Sequence, residues 1–166
     1  MKAYGAVAYI RWKKQNGTYC VKLLCSKNRI APMRQINIPR LELCAAVLAS
    51  RLRVSIEGEM RYNYSRIIHI TDSEIVRAQI QKESHRFNTF VGSRVAEIQS
   101  KTEPIEWYWV SSKENNADLT TRECSPLELG QDLYGKVVHN FSIVTSQNGQ
   151  LNRIQCLISL ILCLQR

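Results

Sequence analysis

Asn16-Gly17 separates two runs of β-forming residues, and a helix-patterned stretch follows soon after. Tyr4–Trp12 and Thr18–Cys25 are rich in β-branched, aromatic and small residues. Asn-Gly between such runs is the strongest short-range signal for a tight hairpin, because both residues tolerate the positive φ that a twisted two-strand ribbon needs. Ser26–Pro32 is a basic loop. Met33–Ile38 alternates, with Ile36 and Ile38 on one side, and is expected to form a third strand. Pro39 then suits the first position of a helix, where its missing N–H costs little. Leu41, Ala45, Leu48 and Leu52 recur at helical spacing. A neighbouring face, Glu42, Ala45, Ala46, Ala49 and Arg53, is small near its start, so it can approach a sheet closely and carry Glu42 towards strand ends. Gly58 is the expected stop.

The rest of the chain alternates. Arg66–Ile70 reads as a short apolar strand ended by Thr71-Asp72-Ser73, with Ser73 as N-cap of a helix Glu74–Gln81. Phe87, Phe90, Val91, Val95 and Ile98 predict a helix within Phe87–Ser100. Pro104 ends it, and Ile105–Val110 reads as the last strand. A polar loop, Ser111–Asn116, leads to a final helix starting at Ala117–Arg122, with Asp118 in its first turn. The predicted order is β-β-β-α-β-α-α-β-α. That implies an α/β fold with a mixed five-stranded sheet, three antiparallel strands followed by strands alternating with helices, flanked by helices. Residues 1–125 form the expected domain. Residues 126–166 are expected to be a divergent C-terminal tail, in which Leu151–Leu164 is a short apolar stretch that could be helical.

Charge is placed unevenly. Residues 1–56 hold eleven Lys/Arg and one acid, Glu42, so this third of the chain is +10; the whole chain is +9, which leaves −1 for the other 110 residues. Such a field favours an anionic partner, nucleic acid first. Lys13, Lys14, Lys27, Arg29, Arg34 and Arg40 are the candidate phosphate contacts. With 45% hydrophobic and 22% charged residues, the 166-residue chain has a globular composition. Its six cysteines (Cys20, Cys25, Cys44, Cys124, Cys156 and Cys163) include no C-x-x-C pair, so free thiols in a reducing compartment are expected. The start does not read as a secretory signal, and the most apolar run, Cys156–Leu164, is short for a bilayer span of ~20 residues. An intracellular location without membrane contact is the expectation.

Three acids carry the candidate chemistry: Glu42 on the first helix, Asp72 at a strand end and Asp118 at a helix start. In α/β sheets functional groups gather at strand ends and adjacent helix starts. Carboxylates gathered together ionise at bearable cost only with a cation among them. Oxygen-only ligands select Mg²⁺ or Mn²⁺. Two such ions roughly 3.5–4 Å apart can support phosphodiester cleavage.

At these residues the chain resembles a known family. Ala3-Tyr4-Gly5-Ala6, Asn37-Ile38-Pro39-Arg40-Leu41-Glu42-Leu43-Cys44-Ala45-Ala46, Thr71-Asp72-Ser73, Phe90–Ile98 and Lys113–Arg122 look like the ribonuclease H-like domain of BEL/Pao-type retrotransposon polyproteins, over about residues 1–125. The resemblance implies Mg²⁺- or Mn²⁺-dependent hydrolysis of the RNA strand in an RNA–DNA hybrid, by four acids and two ions. It also implies a parent polyprotein whose reverse transcriptase region is a neighbour. Glu42, Asp72 and Asp118 match three of the family's acids, as both catalytic and metal-binding residues, and Ser73 and Asn115 are supporting positions. The fourth acid, on the first strand, falls upstream of Met1 in this register, and Lys2 cannot replace it. Two alternatives stand beside an active nuclease: a relic that binds nucleic acid through its basic face without cleaving it, and a structural or interaction domain.

Overall fold

The hairpin forms as its turn residues dictate. In the computed structural model, which describes residues 2–32, 36–60, 65–112, 115 and 155–164, β1 (Lys2–Lys13) pairs antiparallel with β2 (Tyr19–Ile30). Gly17 adopts φ 84°. The Lys14 N–H donates to the Thr18 carbonyl at 2.7 Å, and the Asn16 side-chain oxygen accepts from both the backbone N–H (3.1 Å) and the hydroxyl (2.7 Å) of Thr18. Gly5 meets a different demand. A methyl group there would lie 2.9 Å from the Lys27 carbonyl oxygen and closer still to the Asn28 side chain, so the two strands approach at a position that only hydrogen fits.

Helix α1 (Ile38–Glu59) starts where Pro39 allows and Asn37 caps, the Asn37 side chain accepting from the Arg40 N–H at 3.2 Å. This overturns part of the expected third strand. Ile36 and Asn37 are irregular and Ile38 is already helical; Met33–Gln35 lie outside the described residues. An Asn cap followed by Pro offers the backbone more at a helix start than a short alternating run offers without a partner strand. β3 (Arg66–Thr71), α2 (Glu74–Ile80) and α3 (Thr89–Gln99) follow. Phe87 stands before α3, whose N-cap is Asn88, accepting from the Val91 N–H at 3.1 Å. Pro104–Glu106 form a 3₁₀ turn, so the last predicted strand shrinks to β4 (Trp107–Trp109). Ala117–Arg122, and with it Asp118, lie outside the described residues.

Gln155–Leu164 is a strand, β5, where a tail with helical potential was expected. The strand order is β2-β1-β5-β3-β4. β5 runs antiparallel to β1 and parallel to β3, and β3 is parallel to β4. An apolar run of this length cannot be told from a buried helix by periodicity alone; unpaired strand edges on both sides decide for strand. The described sheet is therefore mixed, with three helices, but the expected third antiparallel strand is not among its members.

α1 packs over β1 and β5 and against α3 and α2. Its small face makes this close: Ala45, Ala46, Ala49 and Ser50 are all buried, beside Ala6 and Ala8 of β1. Leu43, Val47, Leu52, Ile56, Ile67, Val76, Ile80, Val91, Val95, Ile98 and Trp107 belong to the same cluster as Ala6, Ala8, Ala46 and Ala49. His69, fully buried on β3, stacks on Trp107 with ring centroids 4.6 Å apart. Neither of its ring nitrogens has a hydrogen-bond partner among the described residues. Burial, and secondarily the Arg53 charge, pushes its pKa from the ordinary 6.5 down to about 3.

Two predictions follow from this packing. A base whose pKa is depressed in the folded state binds fewer protons folded than unfolded between the two values. Stability contributed by neutral His69 is therefore complete above pH 6.5 and falls as pH drops from 6.5 towards about 3, with a slope of about 1.4 kcal/mol per pH unit for one such group. Urea unfolding across that range reads the slope, and His69→Phe should flatten it. Gly5→Ala should lower stability by about 1–3 kcal/mol through overpacking against the Lys27–Asn28 backbone, read as a drop in Tm with the hairpin still formed.

Candidate nuclease-type carboxylate site

Asp72 follows the last residue of β3, and its carbonyl accepts the Trp109 indole N–H at 3.1 Å. The Val110 N–H donates to the Thr71 carbonyl at 3.0 Å, so the ends of β3 and β4 are tied together beneath the site. Ser73 caps α2 by accepting the Val76 N–H at 3.2 Å, and its own N–H donates to the Thr71 hydroxyl at 3.1 Å. The same Ser73 hydroxyl donates to Glu42 Oε2 at 2.5 Å. One buried serine therefore joins the start of α1 to the β3–α2 turn, and sets Glu42 beside Asp72.

The electrostatics agree with that placement. Glu42 is half-buried, and its pKa is raised above the ordinary carboxylate value. Burial is the largest cause, and the nearby Asp72 charge adds to it; the Ser73 hydrogen bond opposes both. Burial dominates, and the repulsion from the neighbouring Asp72 is a smaller contribution in the same direction. Among the described residues, no acid–base pair involves Glu42 or Asp72, and no group of three His, Cys, Asp or Glu residues is close enough to hold a metal ion. The donor set is all oxygen and suits a hard divalent cation. Of the three predicted acids, Glu42 and Asp72 come together and Asp118 lies outside the described residues. Asn115 is buried, and its backbone N–H donates to the Ser112 carbonyl at 3.4 Å.

The predicted phosphate contacts divide. Register places Ile70, near the C-terminal end of β3, level with Val7 of β1 through Ser159 of β5, and Val7 opposite Ser26 of β2. Lys27 and Arg29 are thus at the sheet end that carries Asp72, and Arg40 is in the first turn of α1; all three are exposed. Lys13 and Lys14, also exposed, sit at the hairpin turn at the opposite end, with Lys13 about 20 Å along β1 from Val7 at ~3.3 Å per residue. Arg34 lies outside the described residues. Sequence reading did not single out Trp109 above its neighbours. Alternation leaves Trp107 buried and Trp109 41% exposed beside Asp72, and only the β3–β4 pairing shows which tryptophan reaches the site.

Residues 1–73 match the model of the Pao retrotransposon-like RNaseH-like domain. Over this segment the chain is similar to that family. The match includes Glu42, Asp72 and Ser73, the residues that the structure brings together. No curated protein and no solved structure matched the chain. No helix among the described residues is long and apolar enough to cross a membrane.

Ser73→Ala should cost about 1 kcal/mol through loss of the α2 cap and should raise the Glu42 pKa further, since the lost hydrogen bond favours the carboxylate. Asp72→Asn should lower it, by removing the neighbouring charge. An NMR titration of the Glu42 side-chain carboxyl carbon distinguishes the two directions. Failure of either variant to move it would disprove the pairing.

Proposed function

We propose that this domain binds RNA–DNA hybrid at the sheet end carrying Glu42 and Asp72, and that its chemistry is divalent-cation-dependent hydrolysis of the RNA strand. The observation that carries the proposal is the Glu42–Ser73 bond. It holds a helix carboxylate against a strand-end carboxylate inside the segment that matches the RNaseH-like family model. Glu42 and Asp72 would hold the cation, with Asp118 as the third expected ligand. A bound Mg²⁺ or Mn²⁺ supplies charge neutralisation at the phosphate and activation of a water.

The chain's own residues have separate tasks. Ser73 fixes the Glu42 carboxyl and leaves Oε1 free of any hydrogen bond among the described residues. The Trp109 bond to the Asp72 carbonyl holds the backbone that carries the second carboxylate. Arg40, Lys27 and Arg29 supply positive charge at the same end of the sheet for the phosphate backbone. Burial raises the Glu42 pKa, and a bound cation would favour its ionised form.

The test is cleavage of a labelled RNA–DNA hybrid by the 166-residue chain in Mg²⁺ and then Mn²⁺, beside Glu42→Gln and Asp72→Asn. The expected result is cation-dependent cleavage that each variant lowers by at least 100-fold while hybrid affinity is kept. Cleavage insensitive to both variants would overturn the assignment. A second reading, binding without cleavage, is favoured by one observation: β1 carries no carboxylate from Lys2 to Lys13. A folded chain that binds hybrid with strong salt dependence and cuts nothing would establish that reading instead.

A further inference from the structure

A second feature lies on the other flank of α1 from Glu42. Cys44, Val47, Leu48 and Arg51 recur at i, i+3, i+4 and i+7 and form one wall of an open cleft of about 380 Å³. Tyr4 and Arg29, cross-strand partners whose side chains share the α1 face of the sheet, close one side. Ser93, Arg94 and Glu97 of α3 close the other. Val47 and Leu48 are buried and give the cleft an apolar floor.

Three guanidinium groups face a single carboxylate here, and that carboxylate is already engaged. Glu97 accepts both nitrogens of a bidentate Arg51 fork, at 2.7 and 2.9 Å, and also Lys101 at 3.0 Å. These cations hold the Glu97 pKa down to about 2. Arg29 and Arg94 have no acidic partner among the described residues. Arg94 is nevertheless held in place: its guanidinium lies 3.5 Å from the Phe90 ring centroid and donates to the Phe90 carbonyl at 2.9 Å. Arg40 stacks on the same ring at 4.8 Å. Two cations share one aromatic ring, and neither forms an ion pair among the described residues. Guanidinium forks match phosphate oxygens bidentately, and the Tyr4 hydroxyl adds a neutral donor.

We propose that the cleft between α1, α3 and the β1–β2 edge is a phosphate-binding subsite that seats the backbone of a nucleic-acid strand passing from the Glu42–Asp72 end. The source of the phosphate rests on the nucleic-acid reading above; the anion chemistry rests on the arginines. The geometry supplies the route. Arg40 is two residues before Glu42 on α1, and Tyr4 and Arg29 are at the sheet end that carries Asp72. Lys13 and Lys14, at the far end, have no part in it.

Cys44 lines the cleft and provides the readout. Its alkylation, followed by peptide mapping, is measured with and without RNA–DNA hybrid, and hybrid affinity is measured against salt for Arg29→Gln, Arg29→Gln/Arg94→Gln and, as control, Lys13→Gln/Lys14→Gln. The expected result is protection of Cys44 by hybrid. The double arginine variant should lose about tenfold in affinity, with a salt slope reduced by roughly one to two contacts' worth at ~0.9 each. The lysine control should change affinity less than twofold. Arg29→Gln alone breaks no contact among the described residues, so it reads the cleft without disturbing α3. If hybrid binds but Cys44 reacts unchanged, or the arginine variants match the wild type, the subsite is overturned while the nucleic-acid reading stands. If no hybrid binds, that reading fails. Protection of Cys44 by inorganic phosphate would then still support an anion site, and its absence would overturn that too.

Discussion

The close approach of α1 to the sheet is the constraint on which the rest depends. Ala46 and Ala49 on the helix share one buried cluster with Ala6 and Ala8 on β1, so small side chains lie on both surfaces. A bulkier residue at Ala46 or Ala49 would lift the start of α1, and with it Glu42, away from Ser73. The hydrogen bond at 2.5 Å tolerates little such movement. Packing of small side chains is here a positional device: it contributes less burial than larger side chains would, and it sets where a carboxylate stands.

Charge is arranged around that scaffold in three ways. Acid is paired with base along the outer helices, as in Arg51–Glu97 and Arg53–Glu106, where partial exposure keeps each pair's contribution modest. Among the described residues, acid is gathered without an ion-pair partner at the Glu42–Asp72 end, where burial first and the Asp72 charge to a smaller extent raise the Glu42 pKa. Base is left without an ion-pair partner among the described residues at Arg29, Arg40 and Arg94. A polyanion with a divalent cation would satisfy the second and third arrangements together, because each supplies the charge that the other lacks. Inside, His69 is kept neutral by burial against Trp107.

Much of this was legible in the chain. Asn16-Gly17, Asn37-Ile38-Pro39 and Asp72-Ser73-Glu74 state local preferences that nothing later overrides, and hairpin, first helix and second helix form where those residues place them. The pairing of Glu42 with Asp72 was legible only as a possibility of the topology. The expected third strand gives way over Ile36–Ile38, where a period-two pattern competes with a strong cap and a proline beside it. The 3₁₀ turn at Pro104–Glu106 shortened the last strand for a similar local reason. The predicted basic face proved to be two places, since residues close in sequence on a long hairpin can lie at opposite ends of a sheet.

Sequence by itself therefore determined the elements whose ends are written in turn and cap chemistry, the candidate acids, and the excess positive charge of the first third. Tertiary structure alone decided what those pieces face. It inserted Gln155–Leu164 between β1 and β3, put Ser73 under Glu42, brought Trp109 rather than Trp107 to the site, and set Arg40 and Arg94 on one phenylalanine. The physical reason is range. Caps and turns act within about four residues and are visible in any window of the chain, whereas strand partnership and ring stacking join segments tens of residues apart and depend on which surfaces the core leaves open.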